Sequence, residues 1–198
     1  GHELLVASPY FIPRKRGVRW LAEIRARGAR VRVLTNSLAA TDVAVAHAGY
    51  AKYRRALLEA GVALHELKPL KERSSWGPAL AMGSSRASLH GKAVVFDRKA
   101  AYVGSMNLDP RSVLLNTEAG LILRGEAIAG QVAAFVEDAM RPERSYALRL
   151  DPAADRDDAP ALTWLDQRAD GLVTHRQDPR THALLRGYVH ILSLLPIE

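Results

Sequence analysis

Hydrophobic and polar positions over the first 67 residues alternate between the patterns of buried strands and of amphipathic helices. Short apolar runs at residues 4–8, 31–34 and 62–67 predict three strands. Apolar residues at helical spacing predict one helix around Leu21 that ends at Gly28, and a second from Tyr50 to Leu58 that ends at Gly61. Strands that alternate with helices of this length indicate βαβ crossovers and a sheet that is at least partly parallel.

The pattern changes after residue 67. A loop is predicted for residues 68–89, two strands joined by a tight turn for 93–97 and 101–104, and a further strand for 119–123. An amphipathic helix that contains Val132 and Val136 follows. We therefore expect an α/β fold in which helices flank a mixed β-sheet, arranged as an α/β/α sandwich.

The sequence of the last quarter of the chain predicts an extension of the same domain. Residues 151–160 are rich in Asp, Ala and Pro and predict a linker, followed by a hairpin at 162–165 and 172–175. Residues 183–195 predict an apolar helix that docks on the core, with a position at a bilayer interface as the alternative. We expect residues 1–150 to form the main unit, and residues 151–198 to append the hairpin and a C-terminal amphipathic helix.

The composition is that of an ordinary globular domain: of 198 residues, 48% are hydrophobic and 25% are charged. The 28 Lys and Arg against 21 Asp and Glu give a formal net charge of +7, which favours anionic partners such as phospholipid head groups or nucleic acid. The absence of Cys excludes disulfides, thiolate zinc sites and thiol catalysis. Because residue 1 is Gly and an apolar run begins at Leu4, we expect a fragment of a longer protein.

The strongest chemical signal is a six-residue pattern between residues 90 and 107. It reads H-x-K-x4-D-x6-G-S-x-N, and its members are His90, Lys92, Asp97, Gly104, Ser105 and Asn107. A lone histidine has many structural roles. If each position matches by chance about one time in twenty, the joint pattern arises accidentally in roughly one of several hundred thousand chains of this length. The pattern therefore indicates a catalytic site.

The spacing of this pattern places three polar groups together. His90 and Lys92 are two residues apart at the start of a strand, so their side chains point to the same side of the sheet. Asn107 follows the next strand, and a hairpin would bring it beside His90. An imidazole, an ammonium and an amide suit a tetrahedral phosphate. Asp97 has odd spacing and is predicted to lie on the opposite face, with a structural role in a salt bridge or turn.

The pattern resembles the signature of the phospholipase D superfamily. In that family two such motifs meet across a pseudo-twofold axis; one histidine attacks phosphorus to form a phosphohistidine, and the other protonates the leaving alcohol, with no metal or other cofactor. The resemblance implies that Glu118 is the acidic residue that hydrogen-bonds the histidine, and that Ser105 lies in the phosphate pocket. Since the N-terminal histidine is usually the nucleophile, it implies a general acid and base role for His90, with the reverse assignment left open.

Further stretches resemble the second half of bacterial cardiolipin synthases, at residues 8–13, 35–42, 47–54 and 194–198. This resemblance implies phosphatidyl transfer between anionic glycerophospholipids, by a protein bound peripherally at the cytoplasmic face of the bacterial inner membrane. It also implies that His47 and Tyr50 border the lipid or alcohol pocket. The alternative is that neither residue has a functional role, and that they are a loop histidine and a tyrosine on a helix face.

Only one motif is present, because none of the other six histidines is followed two residues later by Lys. We expect the second motif to come from a missing N-terminal half or, less favoured, from a second copy in a homodimer. Two other functions stay open. The first is a phosphodiesterase of the same superfamily, either a phospholipase D-type hydrolase or a nuclease; action on nucleic acid is disfavoured by the resemblance to cardiolipin synthases. The second is an inactive lipid-docking half-domain, which is disfavoured by the intact His90, Lys92 and Asn107.

Overall fold

The computed structural model describes residues 1–69, 88–152 and 161–195, and within them nine strands form one mixed sheet. The strands are β1 (Glu3–Ala7), β2 (Arg30–Asn36), β3 (Ala63–Leu67), β4 (Lys92–Phe96), β5 (Ala100–Gly104), β6 (Gly120–Arg124), β7 (Ser145–Asp151), β8 (Ala161–Arg168) and β9 (Gly171–His175). The helices are α1 (Arg14–Ala26), α2 (Ala44–Ala51), α3 (Arg54–Glu59), α4 (Pro110–Leu114), α5 (Glu126–Ala139) and α6 (Ala183–Leu194). The predicted α/β fold with a mixed sheet is confirmed.

The strand order is β6-β5-β4-β1-β2-β3-β7-β8-β9. β1, β2 and β3 are parallel neighbours, which confirms the crossovers predicted for the first part of the chain. β4 runs antiparallel to β1, with Ala93 opposite Ala7, so the beginning of β4 lies beside the carboxyl end of β1. The residues just before β4 are therefore brought to the edge of the sheet where α/β proteins commonly bind ligands.

Helices cover both faces of the sheet and create two cores. Because alternate residues of a strand point to opposite faces, the buried run in β1 serves both. Leu4 and Val6 enter the core beneath α1 and α3, whereas Leu5 and Ala7 enter the core beneath α5. This two-sided burial fixes β1 in the interior of the sheet, next to the strand that follows His90.

The helix predicted from Tyr50 to Leu58 is interrupted. α2 ends at Ala51 and α3 begins at Arg54. The Tyr53 N–H donates to the Tyr50 carbonyl at 2.9 Å, a three-residue spacing that tightens the chain between the two helices. The apolar periodicity continues across the break, which is why it predicted one helix.

Two elements were not predicted from the pattern. β7 joins β3 to β8, and its signal was the alternation of Tyr146, Leu148 and Leu150 with less buried residues. α4 begins after Asp109, whose carboxylate accepts hydrogen bonds from backbone N–H groups of the first turn, and Pro110 occupies that turn. An Asp-Pro pair is therefore the sequence signal of this short helix.

The last third of the chain continues the sheet. The predicted hairpin is present as β8 and β9, and β8 also pairs with β7. α6 packs against α2, where Leu185, Val189 and Leu192 contact Leu38 and Ala48. The predicted loop at 68–89 and linker at 151–160 fall largely outside the described residues.

Candidate active site

His90 is positioned by a buried asparagine at the end of β2. The Asn36 side-chain N–H donates to the Leu89 carbonyl at 3.2 Å, and its side-chain oxygen accepts from the Leu89 N–H at 2.8 Å. Asn36 is 2% exposed, so these bonds are shielded from water. They fix the backbone of the residue before His90, a role that the sequence pattern did not reveal.

Lys92 and Gly104 face each other across the β4–β5 hairpin, as the spacing of the pattern requires. The Lys92 Nζ donates to the His90 carbonyl at 2.8 Å, which folds the ammonium back over the start of the strand. Burial lowers the pKa of Lys92, and the carboxylates of Glu118 and Asp42 partly oppose this shift. A lysine with two nearby carboxylates remains a cation that can bind a phosphate.

Gly104 is required by close packing between β5 and β6. A Cβ at this position would lie 2.3 Å from the Tyr102 hydroxyl and 2.5 Å from the Ala119 carbonyl oxygen. The backbone oxygen cannot move without shifting β6. The glycine of the pattern therefore lets β6, which begins just after Glu118, approach β5, which ends just before Ser105.

We expect Gly104→Ala to destabilise the fold by about 1–3 kcal/mol, because overpacking of this size forces the backbone to shift. Gly91→Ala is the matched control, since a Cβ there has no atom within 4 Å and its φ is not positive. The measurement is urea unfolding of both variants. Equal stability of the two variants would show that the β5–β6 approach does not depend on the glycine.

Asn107 is held at the cavity by backbone contacts of the next residue. The Leu108 N–H donates to the buried Ser8 hydroxyl at 3.0 Å, and the Leu108 carbonyl accepts from the Ile12 N–H at 2.7 Å. The side-chain oxygen of Asn107 is itself buried and has no hydrogen-bond partner among the described residues. Because Asn107 lines the cavity, a ligand group or water that donates a hydrogen bond has a place beside this oxygen.

Glu118 lies beside Ser105 rather than against the histidine. Its carboxylate accepts hydrogen bonds from the Ser105 hydroxyl and from the Asn116 amide, the latter at 3.1 Å. These two bonds hold the pKa of Glu118 below its usual value. The predicted bond between Glu118 and His90 is not among the contacts of the described residues.

A cavity of about 240 Å³ gathers these side chains at the carboxyl edge of β1 and β2. Five of the predicted residues line it, namely His90, Lys92, Ser105, Asn107 and Glu118. The remaining lining comes from Pro9, Tyr10, Asp42, Ser88, Leu89 and Asn116. The motif residues, separated by up to 28 positions in sequence from His90 to Glu118, thus meet in one space.

Tyr10 and Asp42 form a pair on the cavity wall that the sequence patterns did not single out as functional. The Tyr10 hydroxyl donates to the Asp42 carboxylate at 2.9 Å. Burial and this carboxylate raise the pKa of Tyr10 to about 12. The tyrosine therefore remains protonated, and its hydroxyl keeps Asp42 in place near Lys92.

His47 and Tyr50 do not line this cavity, and their position beside a lipid or alcohol pocket stays a prediction. They are buried in a polar cluster beneath α2 and α3. The guanidinium of Arg54 lies 2.7 Å from the His47 ring nitrogen, 2.8 Å from Glu66 and 2.7 Å from Asp178. Arg54 also stacks over the ring of Tyr50, 5.1 Å from its centre. The side chains turn inward because this buried charge needs partners.

Asp97 lies at the β4–β5 turn, at the other end of β4 from His90. Its φ of 52° is in the left-handed region, and its carboxylate accepts hydrogen bonds from the backbone N–H groups of His2 and Glu3. The backbone bonds hold its pKa below the usual value. These contacts tie the turn to the start of β1, and the side chain does not reach the cavity.

The cavity offers the groups that phosphoryl chemistry requires. An ammonium and an amide can bind phosphoryl oxygens, and an imidazole can attack phosphorus or transfer a proton. No group of three or more His, Cys, Asp or Glu side chains suited to a metal ion occurs within residues 1–69, 88–152 and 161–195. The donors that line the cavity therefore favour the binding of an anion.

Comparisons with known proteins give the chain's relatives. A sequence profile described as "Cardiolipin synthase, PLD-like domain" matches residues 1–139. Cardiolipin synthase C of Escherichia coli K12 is 40% identical over 195 residues, which cover 98% of this chain and 40% of that protein. Cardiolipin synthase A of Pseudomonas aeruginosa is 33% identical over 132 residues, which cover 67% of this chain and 23% of that protein. The chain thus spans less than half the length of these relatives.

A solved structure of the same fold is Nuc of Salmonella typhimurium, described as a phospholipase D family member. Its TM-score is 0.55 at 17% identity, and the match covers 75% of this chain and 82% of that one. Phosphatidylserine synthase of Haemophilus influenzae has a TM-score of 0.55 at 18% identity, with coverages of 75% and 34%. These identities show the fold alone. Since the profile match includes the whole pattern from His90 to Asn107 as well as Glu118, the chain belongs to the cardiolipin synthase family with a phospholipase D-like domain.

Proposed function

We propose that this chain supplies half of the active site of a phosphatidyltransferase, which makes cardiolipin from phosphatidylglycerol and a second phospholipid through a phosphohistidine. The observation that carries the proposal is the cavity in which His90, Lys92, Ser105, Asn107 and Glu118 meet, within a chain of the cardiolipin synthase family. The chain covers 40% of cardiolipin synthase C, so we assign the complete reaction to this half together with a second one.

The reaction exchanges the alcohol on phosphorus in two steps. A histidine of the second half attacks phosphorus; an N–P bond forms, the P–O bond to the departing alcohol breaks, and His90 gives that oxygen a proton. The acceptor alcohol then loses its proton to His90, its oxygen attacks phosphorus, and the N–P bond breaks. Lys92 and Asn107 stabilise the negative phosphoryl oxygens in both steps. His90 ends protonated, as it began.

An exposed apolar surface beside the cavity is where we place the second half. It consists of Val113, Leu114 and Leu115, which precede Asn116 and Glu118, and of Leu121 and Ile122 on the edge strand β6. Leu115 is 80% exposed and Leu121 is 67% exposed. Exposed apolar side chains in such number, together with an unpaired strand edge, favour a protein contact. We expect a second half packed there to bring its histidine to the cavity.

We propose that the substrate is an anionic glycerophospholipid and that the protein is peripheral at the cytoplasmic face of the bacterial inner membrane. The formal charge of +7 supports binding to an anionic surface. None of the helices in the described residues has the length and apolar character needed to cross a bilayer. The curated relatives reported above are cardiolipin synthases, which favours a lipid over nucleic acid as the substrate.

We assign the catalytic part to residues 1–150, and a hairpin with a C-terminal helix to residues 151–198. β8 and β9 continue the sheet beyond β7, and α6 packs on α2. This contact pattern supports an extension of one domain rather than a separate unit.

The test of this function is synthesis by the chain combined with a half that carries the second His-x-Lys motif. Vesicles of phosphatidylglycerol with a second glycerophospholipid should yield cardiolipin, and EDTA should leave the rate unchanged. The control is the same mixture with His90→Asn. Cleavage of single-stranded DNA without any lipid product would assign the protein to the nuclease reaction instead.

The lowered pKa of Lys92 predicts where activity falls at high pH. The cationic form is lost as pH rises through the pKa of Lys92, so kcat/KM should fall at a lower pH than an ordinary lysine would give. Since Glu118 raises this pKa, Glu118→Gln should move the fall to still lower pH. The pH profile of kcat/KM measures it, with Glu126→Gln as the control outside the cavity. Unchanged profiles in Glu118→Gln would exclude Lys92 as the titrating cation.

A further inference from the structure

α6 has two apolar faces, and only one of them is covered by the described residues. Leu185, Val189 and Leu192 pack on Leu38 and Ala48, which holds the helix against α2. Helices of globular domains usually place polar residues on the face opposite their packing face. In α6, polar residues (Arg186, His190 and Ser193) occupy one flank, but the other exposed flank is apolar.

The outer face of α6 is a continuous apolar stripe. It consists of Leu184, Tyr188, Ile191 and Leu195, at successive spacings of four, three and four residues, which we call the α6 stripe. All four side chains are exposed, and the exposed fraction reaches 84% for Leu184 and 62% for Ile191. Solvent-facing stripes of this kind are typical of helices that lie in a bilayer interface.

The α6 stripe lies one helix away from the rim of the cavity. α6 packs on α2, and α2 begins two residues after Asp42, which lines the cavity. Val43 and Val45, at the start of α2, are also exposed. The exposed apolar residues at the start of α2 therefore directly follow Asp42, which lines the cavity.

The charges around the α6 stripe suit an anionic surface. Neither α2 nor α6 contains Asp or Glu. The Lys52 Nζ lies 3.3 Å from the Leu195 carbonyl oxygen, so an exposed ammonium stands at the end of the stripe. Arg186 instead folds back onto Thr181, with a 2.6 Å bond to its carbonyl.

We propose that the α6 stripe is the surface through which the protein binds a phospholipid bilayer. Leu184, Ile191 and Leu195 enter the boundary between head groups and acyl chains, while the Tyr188 hydroxyl and the Lys52 ammonium lie at the level of the phosphates. The inference rests on the proposed function in one respect, since a phosphatidyl substrate lies in a bilayer. A protein partner is disfavoured because the surface assigned to the second half lies on β6 and the segment after α4, not on α6.

The first test measures vesicle binding of the full chain. Leu184→Glu with Ile191→Glu should weaken binding to vesicles of phosphatidylglycerol and phosphatidylcholine by at least about tenfold, because carboxylates resist insertion. The control pair is Trp20→Glu with Leu172→Glu, which adds the same charge at positions 52% and 60% exposed. The control pair should bind close to the unmodified chain, and all four positions are exposed enough to leave folding intact.

The second test reports where the helix lies. The chain has no Cys, so Ile191→Cys or Leu172→Cys gives a single site for an environment-sensitive dye. The dye at position 191 should become brighter and shift to the blue when vesicles are added, whereas the dye at 172 should not change.

Several results would overturn the proposal. These are absence of vesicle binding by the unmodified chain, equal binding by both glutamate pairs, or a change in oligomeric state caused by the α6 pair in light scattering. The last result would make the α6 stripe a protein contact. None of these readouts uses turnover, so a failure of the proposed transfer reaction would leave the membrane result intact, and the reverse also holds.

Discussion

Replacing His90 by Asn in the completed enzyme is expected to slow transfer from a natural phospholipid by about 10²–10⁴-fold, the usual loss when a general acid is removed. The departing alcohol of a phospholipid needs a proton, and His90 lines the cavity beside the phosphate-binding groups. Substrates that release p-nitrophenol need little protonation, so their loss should be smaller. Burst kinetics on both substrate types measures the difference.

Acid-quench trapping of labelled phosphohistidine separates the two possible roles of His90. The label should be found on the histidine of the second half, because His90 acts as the acid. His182→Asn is the control, since this exposed histidine caps α6 and does not line the cavity. Label on His90 would reverse the roles. Equal slowing of both substrates by His90→Asn with no label on either half would exclude the covalent mechanism.

Replacing Lys92 by Ala should slow natural and p-nitrophenyl substrates alike, by about 10²–10³-fold, because the charge on phosphorus oxygens develops whichever alcohol leaves. The ammonium of Lys92 is held at the start of β4 by its hydrogen bond to the His90 carbonyl. Among the described residues, Lys92 is also the single lysine that lines the cavity. Parallel assays of kcat/KM for the two substrate types measure the loss.

Lys99→Ala is the matched control for this lysine. Lys99 lies at the turn of the same β4–β5 hairpin and is exposed, so its removal changes the net charge equally without touching the cavity. Its kcat/KM should stay within about twofold of the unmodified enzyme, as is usual for surface substitutions. If Lys92→Ala spares the p-nitrophenyl substrate, the lysine acts on the leaving group and not on the phosphoryl oxygens.

The convergence of His90, Lys92 and Asn107 could be predicted because it depends on local geometry. The two strands of a hairpin must lie side by side, and the register Lys92 to Gly104 follows from a short turn. The parallel order of β1 and β2 was also predictable, since a short helix between two buried strands permits few other connections.

Contacts between distant segments could not be predicted in the same way. Asn36 holds Leu89 across 53 positions of sequence, and no periodicity links them. Likewise, the amphipathic pattern that begins at Tyr50 does not show whether the Tyr50 side chain contacts a ligand or a buried charge. Here the buried guanidinium of Arg54, paired with Glu66 from β3, decides the environment of His47 and Tyr50.

The hydrogen-bond partner of Glu118 could not be predicted from the sequence. The side chain lines the cavity just before β6, which pairs with β5. Which donor its carboxylate accepts from depends on side-chain conformations that the sequence pattern does not specify. In this structure the hydroxyl of Ser105, the residue after β5, donates to it.

The requirement for two halves is tested most directly by measuring phosphatidyl transfer by the chain at concentrations where light scattering shows a monomer. The monomer should show almost no turnover, because His90 is the single histidine among the described residues that line the cavity, and the proposed mechanism needs two. Addition of the half with the second His-x-Lys motif, covalently or in trans, should restore cardiolipin synthesis. Robust synthesis by the demonstrated monomer would contradict the two-half active site.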